Sequence, residues 1–379
     1  MRLNVADLFC GTGGFSHGFT QTDQFDVLVG IDNKPAAIAT FTANHHQAVG
    51  ICQDMCTVAP QEVAQRLGIG ARDLDVIIAG PPCQGFSSIR PYRSINEHDT
   101  RNSLGEQVIA YVAFFRPRFV VFENVVGLLH HQGARVLDDL QGAFTSLGYS
   151  IALQTLNAVN YGLPQKRERV ILLARLGATV PRMPEPTHLY SGRSMARRYA
   201  LQTLPIFSAD LAPAVTVVDA IGDLPDIPAG GTATVYGDSD GAAYGHDYAR
   251  SRRKALTDLT LHSATKHTPR MLEIIKHAGA NRWALPEGLT TSGFSSCYSR
   301  LDADEPSTTL TVNFVHPASN RCIHPTQDRA LTPREGARLQ GFDDDFIFCG
   351  SRTQIVKQIG EAVPPLLGAS IAQSILDQW

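Results

Sequence analysis

Neither a long hydrophobic run nor a surplus of one charge marks this chain. No stretch of about 18 consecutive apolar residues occurs, which argues against a membrane span. The opening MRLNVADLF reads as a strand, without the charged-then-apolar order of a secretory leader, so the cytoplasm is the expected compartment. Seven cysteines fall at irregular spacing and form no disulfide framework. Cys52 and Cys56 make a C-x3-C pair, but no second pair stands at zinc-ligand spacing, so no metal site is expected. The net charge of −3 carries no global signature of a nucleic-acid binder. Local clusters remain: Arg90, Arg93 and Arg101; Arg193, Arg197 and Arg198; Arg250, Arg252, Arg253 and Lys254. Each alone reads as a solvated surface run. No internal repeat or low-complexity tail is present.

What is present is an ordinary globular composition, in a 379-residue chain long enough for one large domain and a smaller one. Strand patterns at 3–9, 26–32, 74–80, 118–124, 151–158 and 169–176 alternate with helical patterns at 35–45, 61–67, 104–115 and 134–147. Such alternation, with Val/Ile-rich strands, predicts a mostly parallel α/β sheet covered on both faces. Past Leu176 the chain turns rich in Pro, Gly, Thr and Asp, and no periodicity runs through 210–249. Helical spacing returns at 269–277, at 332–340 and over 355–376, the last interrupted by Pro364-Pro365.

The first strand runs into Asp7-Leu8-Phe9-Cys10-Gly11-Thr12-Gly13-Gly14-Phe15, a glycine-rich turn that lets a ligand approach the backbone at a helix start. Asp32 closes the second strand about 20 residues on, where such folds place a carboxylate for ribose hydroxyls. Asp54 follows at a position able to meet an adenine edge. Together these favour a nucleoside-containing cofactor. Cys83, in GPPCQGFS after the run LDVIIA, is set at a strand mouth as a nucleophile would be. Glu123 ends the next strand, so parallel topology brings it to the same carboxyl edge. In QKRER, alternation places Arg167 and Arg169 on one face.

The ordered set DLFCGTGGF, GPPCQGFS, ENV, QKRER, RALTPREGARLQGFDDDF and QIGEAVPP resembles the DNA cytosine-5 methyltransferase family, in its bacterial or phage restriction-modification type. The likeness covers 1–176 and 300–379 and leaves the middle third without a motif. It implies a Rossmann-like, S-adenosylmethionine-dependent domain with a mixed, mostly parallel sheet, formed by 1–180 and 301–379. A smaller, loop-rich target-recognition domain is expected at 181–300, and the C-terminal helix beside the first strand. Cys83 would add to cytosine C6, Glu123 would hold or protonate N3, Arg169 would donate to O2, and Arg167 would support Glu123 or nearby backbone. Phe9, Gly11, Gly13, Asp32, Asp54, Pro81, Leu104, Glu361 and Ala362 are implied at the cofactor. The base must leave the stack, and the polar stretch 84–102 suits a lid. There Arg90, Arg93 and Arg101 would meet phosphates and Gln84 or Ser87 would fill the vacated space.

One departure stands out: Glu361 replaces the asparagine usual in the QxGNxVP pattern. Its carboxylate could approach the cofactor, face solvent, or alter how the pocket floor meets the catalytic turn. The partners implied are double-stranded DNA and, nearby in the genome, a cognate restriction endonuclease; a monomer is expected. A tRNA-modifying relative would carry a Cys-Phe-Thr tripeptide, which this chain lacks. A silent DNA-binding relative would not keep Cys83, Glu123 and Arg169 together. A nucleotide-dependent oxidoreductase leaves GPPCQGFS and QKRER unexplained.

Overall fold

The computed structural model describes residues 2–82, 104–129, 132–190, 211–237, 246–290 and 293–379. Cys83, Gln84, Ser87, Arg90, Arg93, Arg101, Arg193, Arg197 and Arg198 lie outside the described residues. The first half contains strands β1 (Leu3–Leu8), β2 (Phe25–Asp32), β3 (Val49–Cys52), β4 (Val76–Ala79), β5 (Phe119–Val125), β6 (Tyr149–Asn157), β7 (Gln165–Lys166) and β8 (Glu168–Leu176). Helices α1 (Gly14–Thr20), α2 (Pro35–Asn44), α3 (Pro60–Leu67), α4 (Leu104–Phe115) and α5 (Gln132–Ser146) alternate with them.

Seven strands form one sheet in the order β3-β2-β1-β4-β5-β8-β6. β1 to β5 run parallel, and β8 is antiparallel to both β5 and β6. All of β4 and the first six residues of β5 are buried, as expected of strands covered on both faces. The chain reverses its direction of travel across the sheet between β1 and β4, which opens a crevice at their carboxyl ends. β3 escapes the sequence patterns because only Ile51 of Val-Gly-Ile-Cys is buried. Gly50 sits there because a Cβ would come within 2.5 Å of Thr42 Cγ2 on α2.

The second half adds short strands β9 (His188–Leu189), β10 (Ala212–Pro213) and β11 (Ser307–Thr308), with β11 pairing β7. Its helices are α6 (Val217–Ile221), α7 (Asp247–Arg253), α8 (Pro269–Lys276), α9 (Pro333–Leu339), α10 (Arg352–Glu361) and α11 (Pro365–Leu376). α6 lies where no periodicity was expected: five residues are too few to show one, and a Thr216/Asp219 capping box starts it. The run Arg352–Leu376 is long and apolar enough for a membrane span, but it divides into α10 and α11 and is largely buried.

One face of the sheet is covered by Val63 of α3, Tyr111 and Phe115 of α4, and Phe144 of α5. On the other lie Phe15 and Phe19 of α1, Phe41 of α2, and Leu367, Ile371 and Ile375 of α11. α1 and α11 approach closely through Gly18 and Gly368; a Cβ on Gly18 would stand 2.2 Å from the Pro365 carbonyl oxygen. A third apolar cluster joins Val217, Ile221 and Tyr248 to Leu310, Leu339, Phe342 and Ile359.

Within that cluster α9 is wholly buried, and Arg329, Arg334 and Arg338 are among the largest fully buried side chains. Each guanidinium is paired. Arg329 meets both oxygens of Glu335 at 2.8 and 2.6 Å, Arg334 meets Asp344, and Arg338 bridges Asp344 and Asp223. Burial pushes the Glu335 carboxyl up, but the Arg329 pair overrides it and holds the group at about 2.

Candidate active site

The glycine-rich turn after β1 is built from left-handed backbone. Phe9, Gly11 and Gly13 have φ of 60°, 52° and 79°. For Phe9 this conformation costs about 1–3 kcal/mol, so the surrounding turn must hold it there. Gly13 has no room for a side chain, since a Cβ would lie 2.8 Å from both His45 Nε2 and Phe41. Gly11 differs: a Cβ there would meet nothing within 4 Å, so its Cα faces open space. Asp32, at the end of β2, accepts from the Gly11 N–H at 3.1 Å and the Lys34 N–H at 2.9 Å. Burial pushes its carboxyl up despite these donors. Below the turn, Asp7 is 1% exposed and its Oδ2 has no hydrogen-bond partner; burial pushes its carboxyl up to about 7.

β3 pairs with β2 so that Cys52 stands opposite Asp32, which puts Asp54 just beyond the Asp32 level. Asp54 is exposed, and its Oδ1 accepts from the Cys56 N–H at 2.9 Å, which starts the short turn Met55–Thr57. Leu104 opens α4 and is half-buried.

At the end of β4, Pro81 is buried and its carbonyl accepts from Asn124 Nδ2 at 3.2 Å. A Cβ on Gly80 would lie 3.3 Å from Glu123 Oε2. Glu123 therefore sits against the root of the turn that leads into Cys83. It is 7% exposed, and Arg169 Nε stands 2.7 Å from its Oε1. Arg169 reaches it from β8, the antiparallel neighbour of β5.

Arg167 stands between β7, which ends at Lys166, and β8, which begins at Glu168, and its carbonyl accepts from the Ala158 N–H at 2.9 Å, so the pairing with the β6 side runs on through it. Its guanidinium donates to the carbonyls of Leu310 at 3.2 Å, Gly360 at 3.2 Å and Ala362 at 3.0 Å. Of the two supports expected of it, Arg167 gives its hydrogen bonds to the backbone, while the charge of Glu123 reaches it through space. Burial lowers its pKa well below the usual arginine value.

Gln165 and Gln340 reinforce the same junction, and pattern alone assigned them nothing. Gln165 Nε2 donates to Gln340 Oε1 at 2.7 Å, and Gln340 Nε2 donates to the Ala362 carbonyl at 2.6 Å. The turn at 360–363 thereby lies between the glycine turn and the Gly80 turn: a Cβ on Gly14 would strike the Val363 carbonyl at 2.8 Å, and one on Gly80 would lie 3.7 Å from Val363 Cγ2. Glu361 turns outward from this junction, its Oε2 2.7 Å from Lys34 Nζ, both side chains about half exposed.

The cluster at 250–254 finds its partners within the chain. Arg252 pairs with Asp343 at 2.6 Å, Lys254 with Asp345 at 2.6 Å, and Arg250 with Asp247. Arg253 lies 4.1 Å from the centre of the Tyr236 ring.

Comparison with known proteins agrees with this geometry. The model of the C-5 cytosine-specific DNA methylase family matches residues 3–377. The chain is 32% identical to the Type II methyltransferase M.AgeI of Thalassovita gelatinovora, over 98% of this chain and 99% of that one. It is also 32% identical to the Type II methyltransferase M1.HphI of Haemophilus parahaemolyticus, over 99% and 87%. Among solved structures, a putative DNA modification methyltransferase encoded within an E. coli prophage superposes with a TM-score of 0.73 at 25% identity, covering 99% of both chains. A seven-stranded sheet of this order, a glycine turn facing Asp32 and a Glu123–Arg169 pair beside Gly80 are thus the frame of a C-5 cytosine-specific DNA methylase, and the chain belongs to that S-adenosylmethionine-dependent family.

Proposed function

We propose that this methyltransferase acts on cytosine within a short specific duplex sequence, with the base rotated out of the stack and held covalently through Cys83. The observation that carries this reading is the Glu123–Arg169 pair lodged beside Gly80, at the root of the turn leading into Cys83. Cytosine C5 is a poor nucleophile. Addition of the Cys83 thiolate forms a bond from Sγ to C6 and moves the C5–C6 π pair toward C5. Glu123 holds N3 or delivers a proton there, so charge does not accumulate on the ring. Arg169 keeps Glu123 in place and donates to O2. After methylation, loss of the C5 proton restores the double bond and expels Cys83.

The residues present fit the cofactor. Gly11 offers open space where a side chain would intrude, and Asp32 stands beside it with its carboxylate held by two backbone N–H groups. Phe9, Gly11, Gly13, Asp32, Asp54, Pro81 and Leu104 would hold S-adenosylmethionine, with Ala362 forming the floor. When bound, this group supplies an electrophilic methyl on sulfur.

Residues 181–300 would read the DNA sequence, and 1–180 with 301–379 would form the catalytic domain. Gln84, Ser87, Arg90, Arg93 and Arg101 would close over the duplex; extrusion of the base costs a few kcal/mol, and such contacts offset it. The likeness to Type II methyltransferases supports a cognate endonuclease encoded nearby, and one copy suffices to modify one cytosine.

The test is methyl transfer from labelled S-adenosylmethionine to genomic DNA and to tRNA, followed by bisulfite mapping. Label is expected in 5-methyldeoxycytidine at one short motif; label in tRNA alone overturns the reading. Cys83→Ala should lose turnover by several orders of magnitude while cofactor affinity stays within about twofold. A target duplex bearing 5-fluorocytosine should trap Cys83 in an adduct that survives denaturation, because fluorine cannot leave C5 as a cation.

A further inference from the structure

Trp283 is 73% exposed and Phe294 67%, the two most exposed large apolar side chains among the described residues. The backbone that carries them is hydrogen-bonded. Asn281 Oδ1 accepts from the Trp283 N–H at 3.0 Å, and the Arg282 N–H donates to the Ser295 carbonyl at 2.9 Å. Arg282 Nη1 donates to the Gly293 carbonyl at 2.6 Å, and its guanidinium lies 5.3 Å from the Trp283 ring centre. The bond from Arg282 to Ser295 sets the two segments side by side. Gly293, at φ 134°, makes the bend before Phe294.

The base of the two segments is hydrogen-bonded too. The Arg300 N–H donates to the Gly279 carbonyl, and the Arg300 guanidinium reaches the carbonyls of Ile275, His324 and Gln327. Leu301 then enters the apolar cluster that contains Leu310, whose carbonyl Arg167 grips. Two rings are thus displayed to water from a scaffold continuous with the active site, although burying them against the protein would have been favourable.

The stretch of sequence that carries them is basic although the chain is not, with Lys276 meeting Glu273 at 3.9 Å. From Ala264 to Phe294 four basic residues, Lys266, Arg270, Lys276 and Arg282, stand against two acidic ones, Glu273 and Glu287, in a protein of net charge −3. Lys266 and Arg270 are exposed. Exposed rings in a basic stretch match a nucleic acid: cations meet phosphates, and rings meet bases or thymine methyl groups.

We infer that Trp283 and Phe294, exposed on two hydrogen-bonded segments, are aromatic contacts for the bases of the target duplex. This rests on residues 181–300 being the recognition region, and it names the side chains that carry part of that recognition. A second copy of this chain is the rival occupant, which the same experiment separates.

The chain contains two tryptophans, so Trp379→Phe leaves Trp283 as a single reporter. Trp379 packs on Phe119 and Arg118, away from this surface, and phenylalanine keeps that ring contact. In this background, the duplex carrying the mapped methylation motif should quench Trp283 emission. Trp283→Ala and Phe294→Ala should each weaken that duplex by about tenfold, with S-adenosylmethionine affinity unchanged, and Trp283→Phe should recover most of the loss. Unchanged emission while the anisotropy of labelled duplex reports a complex would overturn the inference. So would alanine variants that bind DNA within about twofold of wild type. Emission that changes with protein concentration alone would assign the rings to a protein interface and overturn it likewise. If wild type forms no complex with the mapped duplex, the recognition assignment falls, and the ring contact with it.

Discussion

A buried carboxyl with one oxygen unpaired, as in Asp7, is tolerated inside a protein chiefly in its neutral form. Burial drives its pKa to about 7, with Ser16 hydrogen bonds drawing it down and Asp32 adding to the rise. In the unfolded chain the group ionises near 4, so folding takes up a proton between the two values. Stability contributed at this site falls as pH rises from about 4 to about 7, and is level above that. Asp7→Asn should therefore raise unfolding stability more at pH 8 than at pH 5, by on the order of 2 kcal/mol in denaturant titrations. An equal effect at both pH values would mean that Asp7 is ionised in the folded protein. The functional residues differ in how far spacing revealed them. Glu123 was legible from its place at the carboxyl end of a parallel strand, and Arg169 from its place in the strand pattern beside it. The backbone partners of Arg167 were not, because Leu310, Gly360 and Ala362 lie 143, 193 and 195 residues away along the chain. Gln165, Gln340 and Lys34 carried no signal, since their partners lie 175, 22 and 327 residues away by chain position.

Among the elements, those with a clear apolar pattern matched it, β4 with its four buried residues included, and those without one did not. α4 spans Leu104–Phe115 as its apolar spacing suggests, whereas β3 and α6 are defined by a neighbour's register and a capping box. The end of α10 shows what sequence could not weigh. Glu361 places a carboxylate at a helix C-terminus, where the dipole disfavours negative charge, and Lys34 neutralises it from the start of α2. The Glu361 charge also reaches Asp32, whose carboxyl it helps to raise. Lys34→Gln should then weaken cofactor binding more than Glu361→Asn does, by a few-fold, because it leaves two carboxylates facing one another. The double variant should recover toward wild type. Because the pair is about half exposed, stability should change by no more than about 1 kcal/mol in any of the three. Dissociation constants for S-adenosylmethionine across the set decide it: equal values for Lys34→Gln and the double variant would mean that the pair does not bear on the cofactor.

At the scale of the whole molecule, the late motifs prove to be the joint that holds its parts together. RALTPREGARLQGFDDDF supplies three buried arginines, and charged residues are ordinarily surface residues, so composition alone places them on the wrong side of the fold. Arg338 is the central tie. It joins Asp223, in the segment after α6, to Asp344 beyond α9, while Arg334 and Tyr236 meet the same Asp344. α9 runs on to Gln340, which holds the Ala362 carbonyl beside that of Gly360 under the active site. Arg338→Ala should thus leave two carboxylates without their main cation and lower stability by about 3–5 kcal/mol, the cost of breaking a buried pair from one side. Arg252→Ala removes a partner from Asp343, but Lys254 remains to meet that carboxylate, so a loss of about 1 kcal/mol is expected. Urea unfolding of the two variants beside wild type separates a buried tie from a compensated one. A loss for Arg338→Ala no larger than that for Arg252→Ala would show that the joint is held by its apolar cluster and that the arginines serve another end.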